Sequence, residues 1–151
     1  MKYHLPHRLA LLAQAQAAAG EVEAALTTIE ETINSVEETG ERWFESEAYR
    51  WRAVLLLARS NAEQAEACLH HAIAVAERQQ ARLWQLRAAT TLARHFHERG
   101  CRSKARDLLA PIFGWFTEGF DTSDLLEGKA LLVELQAGED APPEQGTARP
   151  N

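Results

Sequence analysis

Residues 13–29 read AQAQAAAGEVEAALTTI, and their pattern of small and large residues returns at residues 53–69 and 93–109. Each stretch has an alanine, a turn residue seven positions later, a second alanine five positions on, and a large apolar residue four positions further. The shared positions are Ala13, Ala53 and Ala93; Gly20, Ser60 and Gly100; Ala25, Ala65 and Ala105; and Ile29, Leu69 and Leu109. Self-similarity at a fixed period of 40 residues indicates a repeat architecture whose neighbouring units share one core.

Each unit is predicted to be a pair of helices, because apolar residues recur at helical spacing on both sides of a turn. In the first helix, Leu5, Leu9, Leu12 and Ala13 form the expected buried stripe. The predicted helices cover residues 5–19, 21–39, 42–59, 62–80, 82–99, 102–115 and 123–136. We therefore predict an all-α solenoid over residues 1–136, with three helical hairpins plus a closing C-terminal helix. Residues 137–151 are acidic and rich in proline, and are predicted to be a disordered tail.

The composition agrees with a helical domain and excludes several functions. Alanine occurs 27 times and leucine 19 times, against 8 glycines and 5 prolines, which favours helices over a β-sandwich. The net charge of −6 disfavours a general nucleic-acid binder. No apolar run is long enough to span a bilayer, and the N-terminus does not resemble a signal peptide, so we expect a cytoplasmic protein without a membrane partner. Two cysteines cannot form a disulfide framework.

The alanine–turn–alanine spacing resembles the tetratricopeptide repeat, although its period is longer than the usual length of about 34 residues. HEAT and armadillo repeats have a period closer to the observed one, but they lack this spacing and are the second choice.

A closer resemblance rests on the segments at residues 39–43, 65–68, 109–112 and 114–122. They are similar to the C-terminal tetratricopeptide region of large bacterial predicted ATPases, many of which carry a class III adenylate/guanylate cyclase domain. Related helical regions end the maltose-regulator-like transcription activators. The chain departs from the family at Ser123, usually proline, and at Gly128, usually alanine, where a glycine lowers helix stability. It also lacks a glycine-rich phosphate loop.

This resemblance implies a non-catalytic interaction module or regulatory scaffold, the partner-binding part of a signalling ATPase or cyclase system without its enzyme. The alternative is a truncated structural remnant that has no partner of its own.

In tetratricopeptide folds the first helix of each pair lines a concave groove, and the resemblance therefore implies a candidate binding site. The groove positions are His7, Gln14, Glu47, Arg50, Val54, Arg87, Thr90, Arg94 and His97, of which the six from Glu47 onward other than Val54 form the candidate site. Its arginines suit an acidic peptide or a peptide carboxylate. Alternatively, they are simply solvated, or they pair with Glu47 and Glu98. Nucleic acid is disfavoured because the flanking segments are acidic and no aromatic residues interleave.

No residue is predicted to be catalytic or to bind a metal or cofactor. The histidine pairs with close spacing are His4 and His7, His70 and His71, and His95 and His97. The first straddles Pro6, and adjacent histidines on a helix point about 100° apart. Cys68 is expected to be a small buried apolar residue. Cys101 follows a turn at a helix start, a placement that reactive thiols use. A redox or hydrolase enzyme is nevertheless the least favoured interpretation, because the sequence places no Asp or Asn to orient a catalytic group there.

Two further expectations concern large apolar residues. Most of the four tryptophans are predicted to face the core, and Trp115 is predicted to form an aromatic plug that seals the last repeat together with Phe113, Phe116 and Phe120. The alternative for this cluster is an exposed partner site. The first repeat begins with leucines at positions 5, 9, 11 and 12 and has no obvious polar cap. Its open side is therefore expected to be apolar, and to self-associate or to dock on a larger protein.

Overall fold

Seven α-helices make up the described part of the chain, residues 5–137 of the computed structural model. They are α1 Leu5–Ala18, α2 Val22–Thr39, α3 Glu45–Ala58, α4 Ala62–Arg78, α5 Arg82–Glu98, α6 Arg102–Gly114 and α7 Ser123–Ala137. The first six pair into three hairpins, and α7 packs against α5 and α6. The predicted hairpins and closing helix are thus confirmed. The predicted tail lies outside the described residues, except for Ala137, which ends α7.

The turns between helices use left-handed backbone conformations at regular intervals. Positive φ angles occur at Gly20, Gly40, Ser60, Gln80 and Gly100, so these residues are 20 positions apart. At Ser60 the next amide, of Asn61, donates to the carbonyl of Leu56 at 2.9 Å, and the Ser60 amide donates to Leu57 at 3.0 Å. This bonding pattern satisfies the last carbonyls of a helix. The serine adopts a conformation that costs a non-glycine residue roughly 1–2 kcal/mol.

The small residues of the repeat lie at the centre of each hairpin. All six alanines of the two alanine columns are buried, as are Ile29, Leu69 and Leu109. A side chain no larger than a methyl group lets two helix backbones approach closely, and the larger residue one turn later fills the space beside the contact. The packing predicted from the 40-residue shift is therefore confirmed.

The buried stripe predicted for α1 is confirmed at Ala13 and wrong at Leu5 and Leu12. Leu5 and Leu12 are exposed, whereas Pro6, Ala10 and Ala13 are buried. The reason is that α1 packs extensively on α2 alone, with only a marginal contact to α3, and it turns its alanines toward that neighbour. The leucines point to the side on which a preceding repeat would lie. The first repeat thus has the apolar open side that we expected.

The last helix approaches its neighbours closely at Gly128. A methyl group placed on this glycine would lie 3.2 Å from Cδ2 of Phe113 and 3.5 Å from Cδ1 of Leu86. Gly128 was expected to lower the stability of α7, but it also has a packing role. Any side chain at this position would push Phe113 aside. Leu125, Leu131 and Leu135 anchor the same face of α7 in the core.

Candidate functional site

The first helices of the second and third hairpins lie side by side with α7 and form a shallow groove. One pocket of about 230 Å³ is lined by Arg50, Arg87, Thr90, Thr91, Arg94, Asp124 and Glu127. A second pocket of about 300 Å³ shares Arg50, Thr91, Arg94 and Glu127 with it and adds Val54, Leu57, His95 and Glu98. We call the two pockets together the groove. Four of the six candidate site residues line it; Glu47 and His97 do not.

A row of alternating charges crosses the floor of the groove and ties its three helices together. The guanidinium of Arg50 donates to both carboxylate oxygens of Glu47, at 2.8 and 3.0 Å. Glu47 in turn accepts from Nη1 of Arg87 at 3.5 Å, and Nε of Arg87 donates to both oxygens of Asp124 at 2.9 and 3.0 Å. Because Glu47 is buried, its two arginine partners are needed to compensate its desolvation.

Arg87 is therefore occupied by the protein itself. Its hydrogen bonds to Asp124 raise the pKa of Arg87 above its usual value, and Glu47 adds to this rise, while burial opposes it. The arginine pairing that we considered as an alternative to ligand binding is the arrangement found for Arg50 and Arg87. A guest carboxylate at Arg87 would have to displace Asp124.

Arg94 differs from the other two arginines of the groove. It is exposed, lines both pockets, and has no ion-pair partner among residues 5–137. Thr90 lies one helical turn before Arg94 on α5 and is only 5% exposed. Its buried hydroxyl has no hydrogen-bond partner in residues 5–137. An unpaired cation and an unsatisfied buried hydroxyl in one pocket are the groups that an anionic ligand would satisfy.

The two histidines at the end of α5 have different surroundings. His97 is 3.8 Å from Glu134 of α7 and does not line the groove. His95 is buried and lines the second pocket, with Nε2 2.9 Å from Oε1 of Glu66. Arg99 donates to the same oxygen at 2.7 Å. Although burial raises the pKa of Glu66, the hydrogen bond and charge of His95 and the charge of Arg99 outweigh it, and the pKa is lowered.

Five residues of the groove were not expected from the sequence: Leu57, Thr91, His95, Asp124 and Glu127. The signal for Glu127 was present, because the groove positions Glu47 and Arg87 lead to residue 127 when the 40-residue shift is applied once more. Asp124 and His95 had no such signal. They face the groove only because of how α7 and α4 pack against α5.

The residues considered for metal or thiol chemistry are dispersed. Among residues 5–137, no three His, Cys, Asp or Glu side chains are grouped so as to hold a metal ion. His4 lies outside this range, and His7 stacks against Trp43 and Phe44. Cys68 is buried as predicted, which raises the pKa of its thiol, whereas Cys101 is exposed. In the same part of the chain, no helix has both the length and the apolar character required to cross a membrane.

The predicted burial of the tryptophans is correct for Trp51 and Trp84 and wrong for Trp43 and Trp115. The first two are partly buried against the core, and the other two are exposed. Trp43 belongs to the short 3-10 helix Arg42–Phe44, where α-helical spacing does not apply, and Phe44 is the ring that is buried. Trp115 stacks under the guanidinium of Arg82 at 4.9 Å and does not seal the last repeat.

Comparison with known proteins supports the fold. The chain is similar to a crystal structure of a Podospora anserina protein described as a kinesin light chain with nearly identical TPR-like repeats, with a TM-score of 0.70 and 18% identity. The match covers 89% of this chain and 66% of that one. No protein-family model matches the sequence, and no curated protein matches it. The chain therefore has a tetratricopeptide-like α-solenoid fold, and its resemblance to a tetratricopeptide region is confirmed at the level of the fold.

Proposed function

We propose that this protein is a non-catalytic module that binds a peptide segment of another protein in the groove. Repeat solenoids use their concave surfaces for protein interactions. The observation that carries the proposal is the pair formed by Arg94, which has no partner in residues 5–137, and the buried, unsatisfied hydroxyl of Thr90. A carboxylate of the guest pairs with Arg94 and accepts a hydrogen bond from Thr90.

The charges around Arg94 limit how many acidic residues the guest peptide can carry. Glu98 and Glu127 line the groove near Arg94, and both are exposed. A guest with many acidic residues is repelled by these carboxylates, whereas a single carboxylate next to neutral or basic residues is not. The preferred guest therefore has one carboxylate, from a side chain or a chain end, with a basic residue beside it.

The finer parts of the proposal come from the sequence resemblance. They make the protein the partner-binding module of a signalling ATPase or cyclase system, and they rest on the segments at residues 39–43, 65–68, 109–112 and 114–122. A cytoplasmic location is also part of the proposal, and it rests on the sequence expectation rather than on the resemblance. Self-association through the first repeat is a separate part of the proposal. It is supported by the exposure of Leu5, Leu11 and Leu12 on α1.

The test compares wild-type protein with Arg94→Glu in pull-downs from bacterial lysate, read by mass spectrometry. Arg78→Glu is the matched control, since Arg78 is an exposed arginine of α4 outside the groove. We expect one partner that is retained by wild type and Arg78→Glu and lost by Arg94→Glu. A synthetic peptide from that partner should compete for binding, and its amidated form, without the carboxylate, should not.

The single substitution is preferable to changing all three arginines, because Arg50 and Arg87 hold Glu47 and replacing them would disturb the fold. If Arg94→Glu retains the same partners as wild type, the groove is not the binding site. If a folded wild-type chain captures no partner, the structural-remnant alternative is favoured.

A further inference from the structure

The closing helix α7 holds the register position of the first helix of a hairpin. A shift of 40 residues places α5 on α7, so that Leu92 corresponds to Leu132 and Ala88 to Gly128. All four of these residues are buried. In addition, α7 packs against α5 and α6 in the way that α5 packs against α3 and α4. The hairpin that α7 begins has no second helix within residues 5–137.

The structure shows what the second helix of a hairpin covers, because α1 packs extensively on its own partner, α2, and barely on any other helix. The residues of α1 that are buried there are Pro6, Ala10 and Ala13. We call these positions of a first helix the hairpin face. In α7 the same positions, 120 residues later, are Leu126, Ala130 and Val133.

The hairpin face of α7 is exposed. Leu126 is 52% exposed and Val133 is 56% exposed, whereas Ala53 and Ala93, which correspond to Val133, are completely buried. Two apolar side chains thus face solvent at positions that a helix covers in each of the three complete hairpins. The occupant that fits this face is therefore a single helix that runs along α7 as α2 runs along α1.

The polar residues beside this face indicate a reversible contact. Lys129 and Gln136 flank the apolar residues on one side, Glu127 and Glu134 flank them on the other, and all four are exposed. A protein contact that forms and dissociates combines an apolar centre with a polar rim, whereas a permanent one is more completely apolar. The rim also gives the occupant a preferred charge pattern, since a carboxylate on the helix can pair with Lys129 on one side and a cation with Glu127 or Glu134 on the other.

The sequence of residues 138–151 does not carry the pattern of a second helix. In the three complete hairpins the second helix carries a small residue at positions 25, 65 and 105 and a large apolar residue four positions later. The corresponding residues of this stretch are Gln145 and Arg149, and it also contains Pro142 and Pro143. A second copy stacked end to end does not fit either, because its α1 would need both helices of a fourth hairpin as a platform.

We propose that Leu126, Ala130 and Val133 bind an amphipathic helix of a partner protein, which takes the place that the second helix holds in each of the three hairpins. The partner helix carries a small residue where it crosses Val133, a large apolar residue one turn later, and an acidic residue within reach of Lys129. Ala130 holds the register position of Thr90 at the edge of the groove, but none of the three residues lines either pocket. Occupation of this site therefore does not require Arg94.

The experiment uses the full chain and a fluorescent peptide with the sequence of residues 61–79, which form the second helix of the second hairpin. The peptide carries Cys68→Ser to prevent oxidation and a hydrocarbon staple on its exposed face, so that helix formation does not limit binding. We expect saturable binding by fluorescence anisotropy. The double variant Leu126→Glu/Val133→Glu should weaken it about tenfold or more, which corresponds to about 1.4 kcal/mol.

The matched control is Leu11→Glu/Leu12→Glu, which replaces two exposed leucines of α1 and should leave peptide binding unchanged, as should Arg94→Glu. Circular dichroism of both double variants checks that the chain remains folded. The proposal is overturned if the peptide does not bind, or if both double variants bind it equally. It is also overturned if light scattering shows a wild-type dimer that Leu126→Glu/Val133→Glu converts to a monomer, since a second copy would then cover this face.

Discussion

Helices α1 and α7 occupy the same place in the repeat, and three of their leucines correspond, yet the two helices bury opposite faces. Leu5, Leu11 and Leu12 are exposed in α1, whereas Leu125, Leu131 and Leu132 are buried in α7. The hairpin faces show the reverse difference. The contrast arises from the neighbours present within residues 5–137: there, α1 packs on a second helix but follows no other repeat, and α7 follows a repeat but packs on no second helix of its own. In a solenoid, burial follows from which neighbours exist, rather than from the hydrophobicity of the residue.

The largest expected difference in the free energy of unfolding is between alanine substitutions at corresponding leucines of α1 and α7. Leu131→Ala in α7 should lower the free energy of unfolding by about 2–5 kcal/mol, because it removes buried methyl groups and leaves a cavity. Leu11→Ala in α1 should change it by less than about 0.5 kcal/mol, since this side chain is largely solvated. Urea denaturation followed by circular dichroism measures both. Equal losses would show that the exposed leucines of α1 are covered in solution, for example by self-association.

A smaller effect on the free energy of unfolding is expected from enlarging residues of the hairpin faces. Here the substitution in α1, and not the one in α7, should be destabilising. Ala10 is completely buried under α2, and Ala130, its counterpart in α7, is exposed. Ala10→Leu should therefore lower the free energy of unfolding by about 1–3 kcal/mol through overpacking. Ala130→Leu should be neutral within about 0.5 kcal/mol. A strong destabilisation by Ala130→Leu in thermal unfolding would mean that the hairpin face of α7 is already occupied in the isolated protein.

The smallest expected effect on the free energy of unfolding concerns a group of hydrogen bonds between α4 and α5. The corresponding residues at the two ends of the solenoid cannot form these bonds. Glu66 joins α4 to His95 and Arg99, whereas the residues that correspond to His95 in α1 and α7 are Ala15 and Leu135. The lowered pKa of Glu66 means that its contribution to stability is present above the reference value of 4.5 and is lost as the pH falls through the lower folded value. The contribution should be about 1 kcal/mol or less, since the site is partly solvated.

Unfolding in urea at pH 6 and pH 3 tests this expectation for wild type and Glu66→Gln. The wild type should lose more stability on acidification than the variant, and Glu63→Gln, at an exposed glutamate of α4, should behave like wild type. If Glu66→Gln shows the same dependence on pH as wild type, other carboxylates account for it.

The repeat made the helices, the turns and most of the groove predictable. A residue's place in the 40-residue period fixes the side of the helix on which it lies, and Arg50, Arg87, Thr90 and Arg94 accordingly line one surface. The same argument could not say which of two apolar faces of α1 is covered, since both the leucine and the alanine face have helical spacing. That choice depends on which helices pack beside α1, and the spacing of apolar residues along α1 contains no information about its neighbours.

The occupied state of Arg87 was also beyond the sequence. Its partner Asp124 lies 37 positions away on α7, and the pairing requires α7 to be aligned with α5 to within a few ångströms. The position of Trp43 was missed for another reason, since the 3-10 helix Arg42–Phe44 breaks the spacing from which burial was read. Both errors arise where tertiary geometry or an irregular backbone decides the outcome.

The regular spacing of the left-handed turn residues limits how the gene for this protein can change in length. One codon inserted between Leu86 and Ala93 would rotate one of them by about 100° around the axis of α5 and bring a polar neighbour into the core. In-frame gain or loss of 40 codons, by contrast, replaces every buried position with an equivalent one. Unequal recombination between repeats is thus the mutational route that preserves the core, and it would lengthen or shorten the groove by one helix at a time.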